Sequence, residues 1–312
     1  MWLYIINIQA MTTTQKYALI TGGTSGIGYE LSKLFAKDGY NLIIVSRSDE
    51  RLDDVAREFE QQYNIQVKTL AKDLFKPGAA KEVYEQTTQW GITVDVLVNN
   101  AGQAEYGAFA ETELDRDIDL VHLDIIALMS LTKYYLKDML ARNEGRVLNL
   151  ASSLAKSPTP LMAVYAASKA FVLSFTEALV QEVKDTNVTL TALMPNATDT
   201  DFFHKAKATD TVAYKKMTFY KPEEIAEAAY AGLMAGTDKV VPGIMNKVQT
   251  AVNNVLTDSA ATAFAGTITA PSTSGKQHTE HAASAEERTH INNQTGNSQG
   301  DLTSHEGHVH ED

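Results

Sequence analysis

A chain of 312 residues with 44% hydrophobic and 21% charged side chains has the composition of a globular protein with a sizeable core, built as one long α/β unit or two smaller ones. It has no cysteine, which excludes disulfides, thiolate catalysis and cysteine-based zinc sites. A formal charge of −12 without any cluster of Lys and Arg argues against nucleic acid as a partner, because phosphate contacts need such clusters.

The chain opens on MWLYIINIQAM, an apolar run with no basic flank and no small-residue cleavage site, too short to span a bilayer. Residues 1–15 therefore read as an N-terminal extension, with Met11 as an alternative start. No membrane partner and a cytoplasmic location are expected. Residues 17–21 form an apolar run that passes directly into Thr21-Gly22-Gly23-Thr24-Ser25-Gly26-Ile27-Gly28 and then into a helical pattern over 29–37. A second strand is predicted at 41–45, a charged helix at 49–63, a third strand at 65–70 ending near Lys72-Asp73, and a helix at 79–90.

Residues 94–98 make a fourth strand running into Asn99-Asn100-Ala101-Gly102, followed by one long helical region over 112–142. A buried strand at 147–150 ends at Ser152 and Ser153. A loop with Pro158 and Pro160 leads to a helix over 162–184, and a sixth strand lies at 188–193. Repeated βα units of this kind predict a doubly wound parallel sheet, a Rossmann fold, with helices on both faces. One catalytic domain is expected over 16–256.

The texture then changes. Residues 196–220 are polar and irregular, the mark of a lid or substrate loop. A helix begins at Pro222, where proline is tolerated and Glu223 and Glu224 suit the helix dipole. A short strand is expected at 239–241, and a helix at 244–256 with apolar spacing for a neighbour or a second subunit. From 257 to 312 the composition is low-complexity and reads as a disordered tail. Six of the eight histidines lie there (His278, His281, His290, His305, His308, His310), a pattern read as adventitious metal affinity, with no dedicated metal site expected.

The glycine turn sits between the first strand and its helix, where backbone N–H groups and the helix dipole hold a dinucleotide pyrophosphate. Its spacing, Gly22-x-x-x-Gly26-x-Gly28, departs from the G-x-G-x-x-G fingerprint, so the position after the first strand carries the argument. About twenty residues on, a carboxylate would hold the ribose 2′-hydroxyl of NAD. The sequence there is Val45-Ser46-Arg47-Ser48, and an arginine suits a 2′-phosphate. NADP is the expected cofactor and NAD the lesser alternative, with Asp49 and Glu50 nearby keeping it open.

On the helix after the fifth strand, Tyr165 and Lys169 are four apart and project from one face. A phenol, with an ordinary pKa of about 10, transfers protons poorly at neutral pH unless a neighbouring ammonium favours its anion. Ser152 is the candidate hydroxyl for holding a substrate carbonyl, with Ser153 as the alternative. Taken alone, a Tyr and a Lys at this spacing are far more often a core edge and a solvated cation than a catalytic pair.

Four separated motifs together resemble the short-chain dehydrogenases/reductases: TGGTSGIG, the Asn-Asn-Ala-Gly from Asn99, the Ser152, Tyr165 and Lys169 set, and the Pro195 segment closing the sixth strand. The likeness covers about 16–247. It implies Tyr165 as proton donor or acceptor, Lys169 on the nicotinamide ribose lowering the tyrosine pKa, and Ser152 on the carbonyl oxygen. It also implies a cofactor cleft lined by Thr21, Gly22, Thr24, Ser25, Gly26, Ile27, Gly28, Arg47, Asp73, Leu74, Asn99, Ala101, Gly102, Pro195 and Thr198.

Two positions depart from the family pattern. Asp124 stands where the family usually has an asparagine whose backbone carbonyl anchors a proton relay, and its carboxylate could pair with Lys169. Pro195-Asn196-Ala197 stands where Pro-Gly is usual, and Asn196 tolerates a left-handed turn.

The implied reaction is hydride transfer between NADP(H) and a carbonyl or secondary alcohol, without metal. A 3-oxoacyl thioester, a steroid or a sugar ketone would each fit. Phe202, Phe203, Tyr214 and Phe219 in the irregular segment suggest an apolar substrate, or simply pack that loop onto the sheet. The competing reading is a non-catalytic NADP(H)-binding regulator. A homodimer or homotetramer through the two long helices is expected, with Phe171, Phe175 and Leu179 contributing apolar surface.

Overall fold

Residues 15–200, 202, 206 and 219–242 are described by the computed structural model. The extension over 1–14, the helix expected at 244–256 and the tail from 257 lie outside the described residues. Phe203 and Tyr214 do too.

Seven parallel strands form one sheet in the order β3-β2-β1-β4-β5-β6-β7. They are β1 (Tyr17–Thr21), β2 (Asn41–Ser46), β3 (Val67–Ala71), β4 (Val96–Asn99), β5 (Gly145–Leu150), β6 (Val188–Leu193) and β7 (Lys239–Val240). The helices between them are α1 (Gly26–Lys37), α2 (Asp49–Tyr63), α3 (Ala79–Gln89), α4 (Leu114–Val121), α5 (Leu128–Arg142), α6 (Ala163–Glu182) and α7 (Pro222–Met234).

The central strands β1 and β2 read as near-continuous apolar runs because both sheet faces are covered there. Ala18 and Ile20 of β1, Leu42 and Ile44 of β2, and Val96 and Val98 of β4 pack in the layer with Leu31 and Phe35 of α1, Phe59 of α2 and Ile225 and Leu233 of α7. Their alternates Leu19, Ile43 and Leu97 pack in the opposite layer with Val83 of α3 and Leu131, Tyr135 and Met139 of α5. The period of two along each strand thus assigns every second residue to one layer.

By length and composition α6 is the one described helix apolar enough to cross a membrane. Here it is a core helix, with Val172, Leu173 and Thr176 buried against the sheet.

The long helical region expected over 112–142 is not one helix. A π-helical segment, His122–Ala127, joins α4 to α5 and places Asp124 inward with no exposure to solvent. Such wide turns add a residue to one turn only, so the hydrophobic period on either side hides them. Helix α1 starts three residues before its apolar pattern becomes visible, because its first turn is built of Gly26, Ile27 and Gly28.

A buried polar chain crosses the centre of the sheet. The Asn99 amide of β4 donates to Thr132 of α5 and to Asn149 of β5, each at 2.9 Å, and the Asn149 amide donates to Thr176 of α6 at 3.0 Å. These bonds fix α5 and α6 against the two central strands. Leu150 follows Asn149 on β5, and Lys169 lies two turns before Thr176 on α6.

Candidate active site

The candidate residues gather at the carboxyl ends of the strands, where a parallel α/β sheet opens a crevice at the reversal of strand order, here between β1 and β4. Thr21 ends β1, and its hydroxyl accepts from the backbone N–H of Asn100 at 3.0 Å and of Ala101 at 2.9 Å. The Asn100 amide donates to the carbonyls of Thr21 at 2.9 Å and Gly22 at 3.2 Å. Gly22 has φ +66°, and a Cβ there would stand 3.2 Å from the Ala101 Cα, so only glycine lets the two strand ends meet this closely.

Ser25 precedes α1 without capping it through its side chain, and no acidic residue occupies the first turn at Gly26, Ile27 and Gly28. The first N–H groups of α1 are therefore not claimed by a carboxylate. The Thr24 hydroxyl is 3.2 Å from that of Ser46 at the end of β2, and the Arg51 Nε donates to the Thr24 carbonyl at 2.9 Å. Arg47 is exposed beside them, with no hydrogen-bond or ion-pair partner among the described residues. Past β3, Asp73 accepts from the Phe75 N–H at 3.3 Å, and Leu74 and Phe75 are buried in the layer that holds α3. A tight glycine turn, an uncapped helix start and a partnerless guanidinium together fit a phosphorylated dinucleotide.

The Asn99 side chain faces away from this crevice, into the central polar chain. Asn100 instead ties the glycine turn down. Gly102, expected to line the cofactor cleft, stands beside the Asp124 and Lys169 side chains. A Cβ there would stand 3.0 Å from the Asp124 carboxylate and 3.1 Å from the Lys169 ammonium, so the glycine is needed to admit that pair.

Ser152, just past β5, accepts from the Leu154 N–H at 3.1 Å, and its hydroxyl stands beside the Tyr165 phenol, whose pKa it lowers. Ser153 is engaged elsewhere: its N–H donates to the Pro195 carbonyl at 2.9 Å and its hydroxyl to Asn196 at 3.3 Å. One turn along α6 from Tyr165, the Lys169 ammonium donates to the Leu150 carbonyl at 3.1 Å and lies 3.8 Å from Asp124 Oδ2. The carboxylate also accepts from the Gln103 N–H at 3.2 Å and from the Ser168 hydroxyl at 3.2 Å.

Burial pushes the Tyr165 phenol well above its ordinary range; the Asp124 charge adds to the shift and the Ser152 hydroxyl opposes it. Lys169, expected to lower that pKa, donates to the Leu150 carbonyl and not to the phenol. The ammonium is directed to Leu150 and Asp124, 5.6 Å from the tyrosine ring centre, and desolvation of the phenolate dominates. Burial likewise raises the Asp124 carboxyl above the usual range, against the pull of Lys169 and its hydrogen bonds.

Tyr165 is enclosed by apolar groups: Ala104, Met162 and Ala206 are buried with it, and Tyr106, Leu154 and Phe202 pack on them. The Phe202 ring lies 5.2 Å from that of Tyr165. After β6, Thr198 is buried, donates to the Asn196 carbonyl at 2.9 Å and bridges to Tyr220, so the two ends of the irregular segment are fastened together. The turn at Pro195 needs no left-handed residue. Among the described residues the non-glycine positions with positive φ are Asn64, Asn143 and Leu161, not Asn196.

The sequence pattern of the family described as short chain dehydrogenase matches residues 16–211, most of the chain. The chain belongs to that family. Among curated relatives, the very-long-chain 3-oxoacyl-CoA reductase of Anas platyrhynchos is 34% identical over 236 residues, covering 72% of this chain and 72% of the reductase. The human 17-beta-hydroxysteroid dehydrogenase type 3 is 34% identical over 190 residues, 59% of this chain and 60% of that enzyme. Among solved structures, a short-chain dehydrogenase from Sphingobium yanoikuyae in complex with NADPH superposes with a TM-score of 0.69 at 26% identity, covering 77% of this chain and 94% of that one.

Five residues of this dehydrogenase stand at the site without having been expected there: Arg51, Phe75, Gln103, Arg116 and Ser168. Arg51 carried a signal in the sequence, since a cation in the first turn of a helix opposes the dipole and calls for another partner. Ser168 could have been found as the residue beside Lys169 on α6. Phe75, Gln103 and Arg116 are brought together only by the packing of α4 over the end of β3.

Proposed function

We propose that this dehydrogenase interconverts a ketone and its secondary alcohol on a bulky apolar carbon skeleton, with NADP(H) as the hydride partner. The carrying observation is the Tyr165 phenol, set beside Ser152 and enclosed by Met162, Phe202, Ala104 and Ala206. When bound, the nicotinamide supplies or accepts the hydride.

The protein's own part begins with the substrate oxygen. The Ser152 hydroxyl holds the carbonyl beside Tyr165, and the Tyr165 Oη gives its proton to that oxygen as the carbonyl carbon becomes tetrahedral. In the reverse direction Tyr165 takes the proton from the alcohol. Lys169 holds the ribose near the nicotinamide and stabilises the tyrosinate as it forms. Asp124 positions Lys169 from behind.

The cofactor would lie along the crevice. Thr21, Gly22, Thr24, Ser25, Gly26, Ile27 and Gly28 take the pyrophosphate, Arg47 the 2′-phosphate, Asp73 and Leu74 the adenine, and Ala101, Gly102, Pro195 and Thr198 the remainder. The long-chain 3-oxoacyl-CoA reductase and the hydroxysteroid dehydrogenase among the relatives both support a large apolar substrate over a sugar ketone. The test is steady-state turnover with NADPH across a panel of ketones and 3-oxoacyl thioesters. A kcat/KM that rises with apolar length is expected. Preference for small charged ketones would overturn the substrate assignment.

Self-association is part of the same proposal. Leu114, Ile118, Ile126, Met129 and Leu140 are exposed along α4, the π-helical segment and α5. Phe171 and Phe175 of α6 stack on each other at 5.5 Å and stay partly exposed, so they add to the apolar surface offered to a second copy.

A further inference from the structure

The Phe75 ring lies under two guanidinium groups. The Arg47 Cζ is 5.1 Å from its centre and the Arg116 Cζ is 5.3 Å away. Arg116 is already committed, with its Nε 3.3 Å from Glu105 and its Nη2 donating to the Gln103 side chain at 2.7 Å. Arg47 has neither kind of partner among the described residues. It follows directly on Ser46, whose hydroxyl meets Thr24 of the glycine turn. Phe75 itself is 5% exposed and its N–H is bound to Asp73, so the ring is fixed while the arginine above it is not otherwise held.

An arginine on an exposed strand end would normally sample many rotamers and lose that freedom on gripping a ligand. A guanidinium laid on an aromatic face keeps its N–H edges free for bidentate bonding to phosphate, and the face limits the rotamers it visits. We propose that Phe75 is a specificity-determining residue that holds Arg47 in place for a 2′-phosphate and so sets the preference for NADP(H) over NAD(H). This rests on the assignment of Arg47 to that phosphate. Phe75 is a positioning residue and touches the cofactor only through Arg47.

The experiment is calorimetric titration of the full chain with adenosine 2′,5′-bisphosphate and with 5′-AMP, which differ only in the 2′-phosphate. The variants are Phe75→Leu, Phe75→Met, Phe75→Tyr, Arg47→Ala and the double variant Arg47→Ala with Phe75→Leu. Leucine and methionine keep apolar volume without the π face, and tyrosine keeps the face. In Phe75→Leu and Phe75→Met the bisphosphate is expected to bind about five- to tenfold more weakly, as loss of a cation–π contact predicts, with 5′-AMP unchanged within about twofold. Phe75→Tyr retains the wild-type ratio, and Phe75→Leu adds nothing further in the Arg47→Ala background. A ratio lost in Arg47→Ala but kept in both Phe75→Leu and Phe75→Met overturns this inference alone, as does equal weakening of both probes. A wild type that binds the two probes equally, or an Arg47→Ala that keeps the ratio, overturns the NADP assignment as well.

Discussion

The Asp124 carboxylate lies 3.8 Å from the Lys169 ammonium, and their side chains are 0% and 3% exposed. Both charges are out of water, so each depends on the other and on the bonds from Gln103 and Ser168 and to Leu150. Removing one partner of such a pair commonly costs about 3–5 kcal/mol, because the other is left buried and uncompensated. Asp124→Ala should lower the melting temperature accordingly. Asp124→Asn keeps an acceptor for the Gln103 N–H and should be milder.

The same pair makes a pH prediction. The Asp124 charge raises the Tyr165 pKa, so Asp124→Asn should lower it. Alcohol oxidation requires the deprotonated tyrosine and rises with pH, so the midpoint of its rate profile should move to lower pH in Asp124→Asn. An unmoved or upward midpoint would show that the carboxylate does not act on the tyrosine. Stability gives an independent reading. A carboxyl whose folded pKa is raised contributes most below its unfolded pKa of about 4 and loses that contribution as pH climbs toward the folded value. Asp124→Asn, which does not titrate, should therefore gain in melting temperature relative to wild type between acid and neutral pH.

Tyr165→Phe removes only the hydroxyl set beside Ser152. Turnover should fall at least 10²- to 10⁴-fold, the range typical of general acid–base catalysis, while NADPH affinity stays within about twofold. Binding and turnover lost together would place Tyr165 in cofactor binding instead. Full turnover in the variant would sink the assignment.

Asn149 joins β5 to α6 through Thr176 and also satisfies the Asn99 amide. Asn149→Ala leaves two buried polar groups short of a partner, at about 1–3 kcal/mol each. Scanning calorimetry should register a fall of several degrees. Because Leu150 follows Asn149 and its carbonyl anchors Lys169, a loss of kcat at temperatures where the variant remains folded is also expected.

Ile126 and Met129 stand one turn apart on the exposed stripe of the π-helical segment and α5. If that stripe is the face of a dimer, Ile126→Lys with Met129→Lys should reduce the mass seen by light scattering at micromolar concentration to that of one chain. A wild type that is already monomeric at that concentration would contradict the proposal of self-association.

Much of the architecture was legible in the residues. Near-continuous apolar runs at 17–21 and 41–45 specify strands buried on both faces, and the glycine turn after the first of them locates the crevice, because only glycine accepts the backbone of Gly22 against Ala101. The spacing of Tyr165 and Lys169 places both on one face of α6, a property of helical geometry alone.

What lies at the far side of that face was decided by the tertiary structure. The π-helical segment turns Asp124 toward Lys169, and no period in the sequence marks it. Burial raises the Tyr165 pKa where proximity in sequence to a lysine suggested the reverse, because desolvation depends on everything packed around the phenol, including Met162 and Phe202. The stacking of Arg47 on Phe75 joins the ends of β2 and β3, nearly thirty residues apart in sequence. Local geometry is written in local residues. Electrostatics and orientation come from neighbours that only the folded chain brings into contact.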